Sequence, residues 1–265
     1  MKTLNYRRRF MKATVLKGIV IVASILLLAG CSKGSQPSEK AAKAEPSAQT
    51  VKKQAEDDAN VLLDFLYQGK KSSQLENVTN QSSEGITSFL LTKLVEKQDQ
   101  MFASNQNKDD YYLVIDGSNY YASDIVKDYA KAYLKQAQRL SFKVKNVTVN
   151  GDEAKVNVSY SPIASLEEAN PIGTARTKLF GGIDEDTFIR QSQNKDIKTI
   201  KSLITLKLYG IYYGDLDYDA VKVKNPVDMS FTLTKKGTHF MANEDVIYQV
   251  MKDSRIKSYQ DNTAK

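Results

Sequence analysis

The chain has 265 residues, with 38 Lys and Arg against 31 Asp and Glu, a formal charge of +7. Six of those cations precede residue 31 and no acid does, leaving 32 against 31 in the remainder, so a nucleic-acid surface loses its electrostatic basis. One Cys and one His exclude a disulfide framework, a Cys-based zinc site and any multi-His metal site.

The basic stretch to Lys17 is followed by an apolar run, Gly18 to Ala29, and then Gly30-Cys31. The run is about a dozen residues, short of the ~20 a spanning helix needs and suited to a secretory signal. Its end, Leu28-Ala29-Gly30-Cys31, resembles the lipobox of bacterial lipoproteins at all four positions. The resemblance implies cleavage between Gly30 and Cys31, diacylglycerol on the Cys31 thiol and acylation of the new amino terminus. Buried acyl chains contribute about 0.8 kcal/mol per CH₂, enough for stable anchoring when there are two or more. The bland alternative is a plain signal peptide with a chance Cys. The released fragment Ser24–Gly30 also resembles the sex-pheromone peptides of some enterococcal lipoprotein signals, against the ordinary reading of signal debris. Residues 31–55, rich in Ser, Ala, Lys, Gln and Glu, bury too little apolar surface to offset ordering and read as a tether. The body is then 56–260, which also reads as two halves, 56–163 and 164–260.

Within the body, Ala59, Leu62, Leu63 and Leu66 fall at helical spacing, and Gly69 stands as the stop. A polar stretch, 70–83, leads to a helix over 84–102, a strand over 111–115 with a turn at Asp116-Gly117, and a helix over 123–138. Alternation over 140–163 around Asn150-Gly151 predicts a hairpin, with a parity change near Lys145-Asn146 that marks a bulge. Pro171 to Gly182 reads as a loop after a short capped turn at Ser165-x-x-Glu168. Asp184-Glu185-Asp186 opens a helix running towards Tyr209, although Leu203–Tyr213 is rich enough in β-formers to be a strand. Val227–Met241 makes a second hairpin, and Asn243 caps a last helix. Helices followed by a hairpin, twice over, predict an α+β fold: an antiparallel curled sheet built from two hairpins, with helices packed on one face.

The stretch Val147-Thr-Val-Asn-Gly-Asp-Glu-Ala-Lys-Val-Asn-Val158, with Ser230–Met241, resembles small Gram-positive lipoproteins bearing an NTF2-like or cystatin-like domain. His239-Phe240 stands where such proteins often carry a Trp. The resemblance implies a concave sheet and no fixed chemistry, since that fold hosts enzymes and binding modules alike.

The search for chemistry finds no phosphate loop, no dinucleotide fingerprint and no nucleophile elbow, so no cofactor is expected. His239 reads as an incidental surface or partly packed residue. Asp215, Asp217 and Asp219 match the first three ligands of a calcium loop, but Ala220 and Pro226 break the pattern, which favours a solvated acidic loop. Tyr209, Tyr212, Tyr213 and Tyr218 form a candidate binding surface, weighed against simple packing of amphipathic rings. The expectation is a membrane-anchored lipoprotein on the extracytoplasmic side of the cell membrane, a non-enzymatic module for an envelope protein, peptide or cell-wall ligand. The alternatives are a solute-binding lipoprotein of a transporter, with two lobes, or an envelope enzyme using Asp184, Glu185 and Asp186.

Overall fold

The computed structural model describes residues 47–103, 106–165, 172–192, 196–215 and 224–255. The signal segment, Cys31, most of the tether, the pheromone-like fragment and Glu168 lie outside the described residues.

The first helix, α1 (Ala48–Gln68), starts eight residues before the expected beginning of the body. Its first turns look like tether by composition, yet Val51 and Ala55 extend the apolar stripe of Ala59 and Leu62, and Ala55 is fully buried. Ser47 caps it, its hydroxyl accepting from the Thr50 amide at 3.2 Å. At the other end Gly69 adopts φ 63°, and its amide donates to the Phe65 carbonyl, the bond of an αL cap, while the Lys70 amide donates to the Asp64 carbonyl. A Cβ there would be strained in the left-handed region and only 3.4 Å from Gln138 Cβ. Gly69→Ala is therefore expected to cost about 1 kcal/mol in urea unfolding, with Gly69→Asn costing less; an unchanged midpoint would contradict this geometry.

A short helix, α2 (Leu75–Thr79), occupies the stretch expected to be loop, because Leu75 and Val78 are buried against the end of the sheet. Five residues are too few to show a period. Helix α3 (Ser83–Asp99) and helix α4 (Ala122–Ala137) match their expected spans to within three residues. Between them, β1 (Tyr112–Ile115) pairs with β2 (Ser118–Tyr121) through positive φ at Asp116 and Gly117, the type I′ requirement. All four β2 residues are exposed, so no alternation betrayed that strand.

The principal sheet has the order β3-β4-β5-β6, antiparallel throughout: β3 (Phe142–Asn150), β4 (Glu153–Tyr160), β5 (Val227–Lys236) and β6 (His239–Met241). The expected bulge lies between Val144 and Asn146. One sheet face is apolar, with Val156 opposite Phe231 and Ala154 opposite Leu233. The other carries exposed Lys155, Ser230, Thr232 and Thr234. Helices α1 and α8 (Glu244–Lys252) lie on the apolar face, where Tyr67 stacks 5.5 Å from Tyr160 and donates to the Val250 carbonyl at 2.8 Å. Each proposed half contributes one hairpin to this sheet, so 56–163 and 164–260 share one core.

The segment after the first hairpin departs most from expectation. Helix α5 (Ile172–Phe180) replaces the predicted loop, burying Ala175, Leu179 and Phe180. The single helix predicted from Asp184 is two, α6 (Glu185–Gln191) and α7 (Ile197–Gly210), with Asp196 capping the second by accepting from the Lys198 amide. A side chain that bonds its own backbone two residues on interrupts a helix. Leu203–Gly210 is helical, followed by a π-helical turn, Ile211–Asp215. Small residues set its approach to α4: a Cβ on Gly214 would lie 3.3 Å from Ala132 Cβ.

Candidate functional site

Three of the four tyrosines expected to form a binding surface are buried instead. Tyr209, Tyr212 and Tyr213 are 2%, 0% and 4% exposed, packed between α7, its π-helical turn and α4. They pack because the helix beneath them continues to Gly210 and turns their rings towards α4, where Tyr213 lies 5.6 Å from Tyr133 and 6.3 Å from Tyr129. Tyr218 lies outside the described residues, as do Asp217 and Asp219 of the calcium candidate, and no side-chain geometry is described for Asp215. Among the described residues no group of three or more His, Cys, Asp or Glu could hold a metal ion.

At the centre of this tyrosine cluster sits Arg255, which no sequence pattern singles out. It follows α8 in a polar tail, outside any periodic pattern. The parallel bridge between Ile163 and Arg255, and the Ile163 amide donating to the Ser254 carbonyl at 2.9 Å, turn the chain back into the core. The guanidinium is buried, donates from Nη1 to the Tyr129 hydroxyl at 2.7 Å and lies 4.6 Å from the centre of the Tyr133 ring. Its Nε is buried without a hydrogen-bond partner, and no carboxylate pairs with it among the described residues. Burial acts against the charge, but the phenols of Tyr129, Tyr133 and Tyr213 outweigh it and hold the guanidinium above its usual range.

Burial in turn pushes the Tyr133 phenol up to about 12, and the Tyr213 phenol well above its ordinary value, with Arg255 opposing both. Tyr133 donates to the Met251 carbonyl at 2.9 Å and approaches the Ser254 hydroxyl closely, joining α4 to the end of α8. Phenols held this far from neutrality do not supply a base near pH 7. The cluster is a latch between α4, α7 and the chain after α8.

A second polar centre joins α1 to the sheet rim. Asp58 is 2% exposed; its Oδ2 accepts from the Phe240 amide at 2.7 Å, and its Oδ1 lies 2.9 Å from both His239 Nδ1 and Gln54 Nε2. A carboxylate only accepts, which places the imidazole proton on Nδ1. His239 is thus partly packed at the rim, as expected, but with a buried partner. The signal for Asp58 was an acid four residues before Leu62, on the apolar stripe.

Asp184, Glu185 and Asp186 begin α6. Asp184 Oδ1 accepts from the Thr187 amide at 2.9 Å, and bonds to Thr187 lower its carboxyl below the ordinary range. Glu185 pairs with Arg176 at 2.7 Å, and Asp186 is exposed. Capping and pairing account for the first two. Nearby, the β1–β2 hairpin and α5–α6 enclose a recess of about 550 Å³ lined by Val114, Asn119, Phe180, Ile183 and Phe188. A smaller one, about 270 Å³, lies between α4 and α7.

No protein-family model matches the chain. No curated protein matches it. Among solved structures, the chain is similar to the crystal structure of YcdA from Bacillus subtilis, provisionally described as a lipoprotein, at 11% identity and a TM-score of 0.49. The match covers 79% of this chain but only 58% of that one.

Proposed function

We propose that the protein is a lipid-anchored module of the cell envelope, held on the extracytoplasmic side of the membrane through Cys31, whose body works by binding. The observation that carries this reading is the tetrapeptide Leu28-Ala29-Gly30-Cys31 directly after a basic and then an apolar segment. The single Cys of the chain lies at the one position where a lipoprotein requires it. The use of Asp184 and Glu185 in capping and pairing supports binding over carboxylate catalysis. A transporter's solute receptor would need two lobes about a cleft, whereas the hairpins of both halves join one sheet. The NTF2-like or cystatin-like relationship belongs to this proposal too, supported by the helical lead-in and the β3-β4-β5-β6 meander.

Metabolic labelling with a palmitate analogue tests the anchor. The full chain is expected to take up label and sediment with membranes, and Cys31→Ala to lose label by at least about tenfold, because acyl transfer needs the thiol. Equal labelling of Cys31→Ala would overturn the assignment.

A further inference from the structure

We propose that the recess between α4 and α7 binds a phosphate-bearing anion, so that Lys131, Lys135 and Lys207 are specificity residues of the binding module. This names a ligand class for the module proposed above and rests on that reading. The recess is lined by these three lysines, with Ile125, Tyr129 and Leu206 among its apolar and aromatic surfaces. Lys131 and Lys135 are four residues apart on α4 and so share one face of that helix. Lys207 comes from the facing helix, its ammonium held 4.8 Å from the centre of the Tyr120 ring. Gly210 and Gly214 complete the lining where α7 and its π-helical turn approach α4 closely.

The charge is unbalanced. None of the three lysines has a carboxylate partner among the described residues, and Asp128 is the only acid lining the recess. Glu96, in the adjoining α3–α4 groove with Lys127 and Lys131, is already paired with Lys93 at 3.0 Å. Behind the wall, Tyr129 joins the recess to the buried Arg255 guanidinium, whose charge likewise lacks a carboxylate. A buried charge is weakly screened, so it adds positive potential at the recess.

The geometry favours phosphate over a carboxylate. A planar carboxylate is best met by the planar fork of an arginine, whereas three ammoniums from two helices act as point charges that a tetrahedral anion can accept from separate directions. At about 270 Å³ the recess suits a phosphate with a small polyol and is too small for most drug-sized apolar ligands.

A phosphate group reaches such a site either as a free solute or as a lipid headgroup, and amine acetylation of the full-length protein separates the two. In neutral detergent, inorganic phosphate and glycerol 3-phosphate are titrated while mass spectrometry follows Lys131, Lys135 and Lys207, with Lys155 and Lys236 on the outer sheet face as controls. In parallel, the protein is placed in phosphatidylcholine nanodiscs with and without phosphatidylglycerol. Saturable protection of the three lysines over the controls, by a soluble probe or by phosphatidylglycerol alone, supports the site and identifies its source. Read at the remaining Lys207, Lys131→Ala/Lys135→Ala is expected to weaken that protection by about tenfold or more at an unchanged melting temperature, and Lys131→Arg/Lys135→Arg to retain most of it. No selective protection by any probe, or undiminished protection in the double alanine variant, would overturn the proposal. Neither result bears on lipidation, which the Cys31→Ala labelling reads separately.

Discussion

Asp58→Ala is expected to lower the unfolding free energy by about 3 kcal/mol, the scale for removing a buried carboxyl acceptor and leaving its hydrogen-bond donors unpaired. The carboxylate is the acceptor for the Phe240 amide at 2.7 Å and for His239 Nδ1 and Gln54 Nε2 at 2.9 Å. Phe240 is fully buried, so its amide would be left without an acceptor or with an intruding water. The loss falls on the seam where α1 meets the short edge strand β6, which pairs with β5 through only Thr234, Lys235 and Lys236. Asp58→Asn keeps an acceptor for the Phe240 amide and is expected to cost roughly half as much. His239→Ala removes a partner that is 28% exposed and should cost about 1 kcal/mol. Urea unfolding of the three variants, with the Asp58→Ala/His239→Ala double variant to close the cycle, measures the coupling. An Asp58→Ala variant within about 1 kcal/mol of the parent protein would show that the seam does not depend on this carboxylate.

The second large effect is a loss of stability in alkali. Burial raises Tyr133 to about 12 and holds Tyr67 and Tyr213 well above their ordinary value, while an unfolded chain titrates its phenols near 10. Below about pH 10 both states keep these protons, and the phenols give no pH dependence. Above it the unfolded state releases protons that the folded state retains, so fewer protons are bound on unfolding and stability falls as pH rises. Tyr133 alone contributes the loss of about one proton over this range, a few kcal/mol in all once the pH has passed about 12. With Tyr67 and Tyr213 acting alike, unfolding midpoints should fall steeply between about pH 10 and about pH 12, with phenolate absorbance rising as the protein unfolds. Tyr133→Phe should start less stable, having lost its bond to the Met251 carbonyl, and then decline with a slope shallower by about one proton. A phenolate signal for these residues that develops near pH 10 in the folded protein would contradict their burial.

Local and alternating patterns were legible in the chain. The Asn150-Gly151 hairpin and its bulge, the β5–β6 hairpin, the Gly69 stop and the Asn243 cap each follow from residues within a few positions of one another. The antiparallel α+β class followed from their order. Besides α5, read as loop from Pro171 and its glycines, three kinds of element escaped. Helix α2 and strand β2 are too short or too exposed to show a period. The first turns of α1 hide a sparse apolar stripe within a polar composition. The break between α6 and α7 depends on Asp196 turning back on its own backbone, a choice open to any Asp within a helical pattern.

Taken alone, the sequence determined the basic-then-apolar order of the first thirty residues, the lipobox resemblance at Leu28–Cys31 and the absence of a cysteine framework, because these depend on residue identity along a line. What the tertiary structure decided was which polar and aromatic groups meet. Tyr212 and Tyr213 could equally have been a wet edge or a packed core, since an amphipathic ring suits both; α4 lying against the π-helical turn buried them. Asp58 and His239 are 181 residues apart and Arg255 and Tyr129 are 126 apart, and no periodicity links such pairs. Their meeting is set by the packing of α1 and α8 on one sheet face and of α4 against α7. The same packing set a cation among phenols at Arg255 and brought Lys131, Lys135 and Lys207 from two helices to one recess.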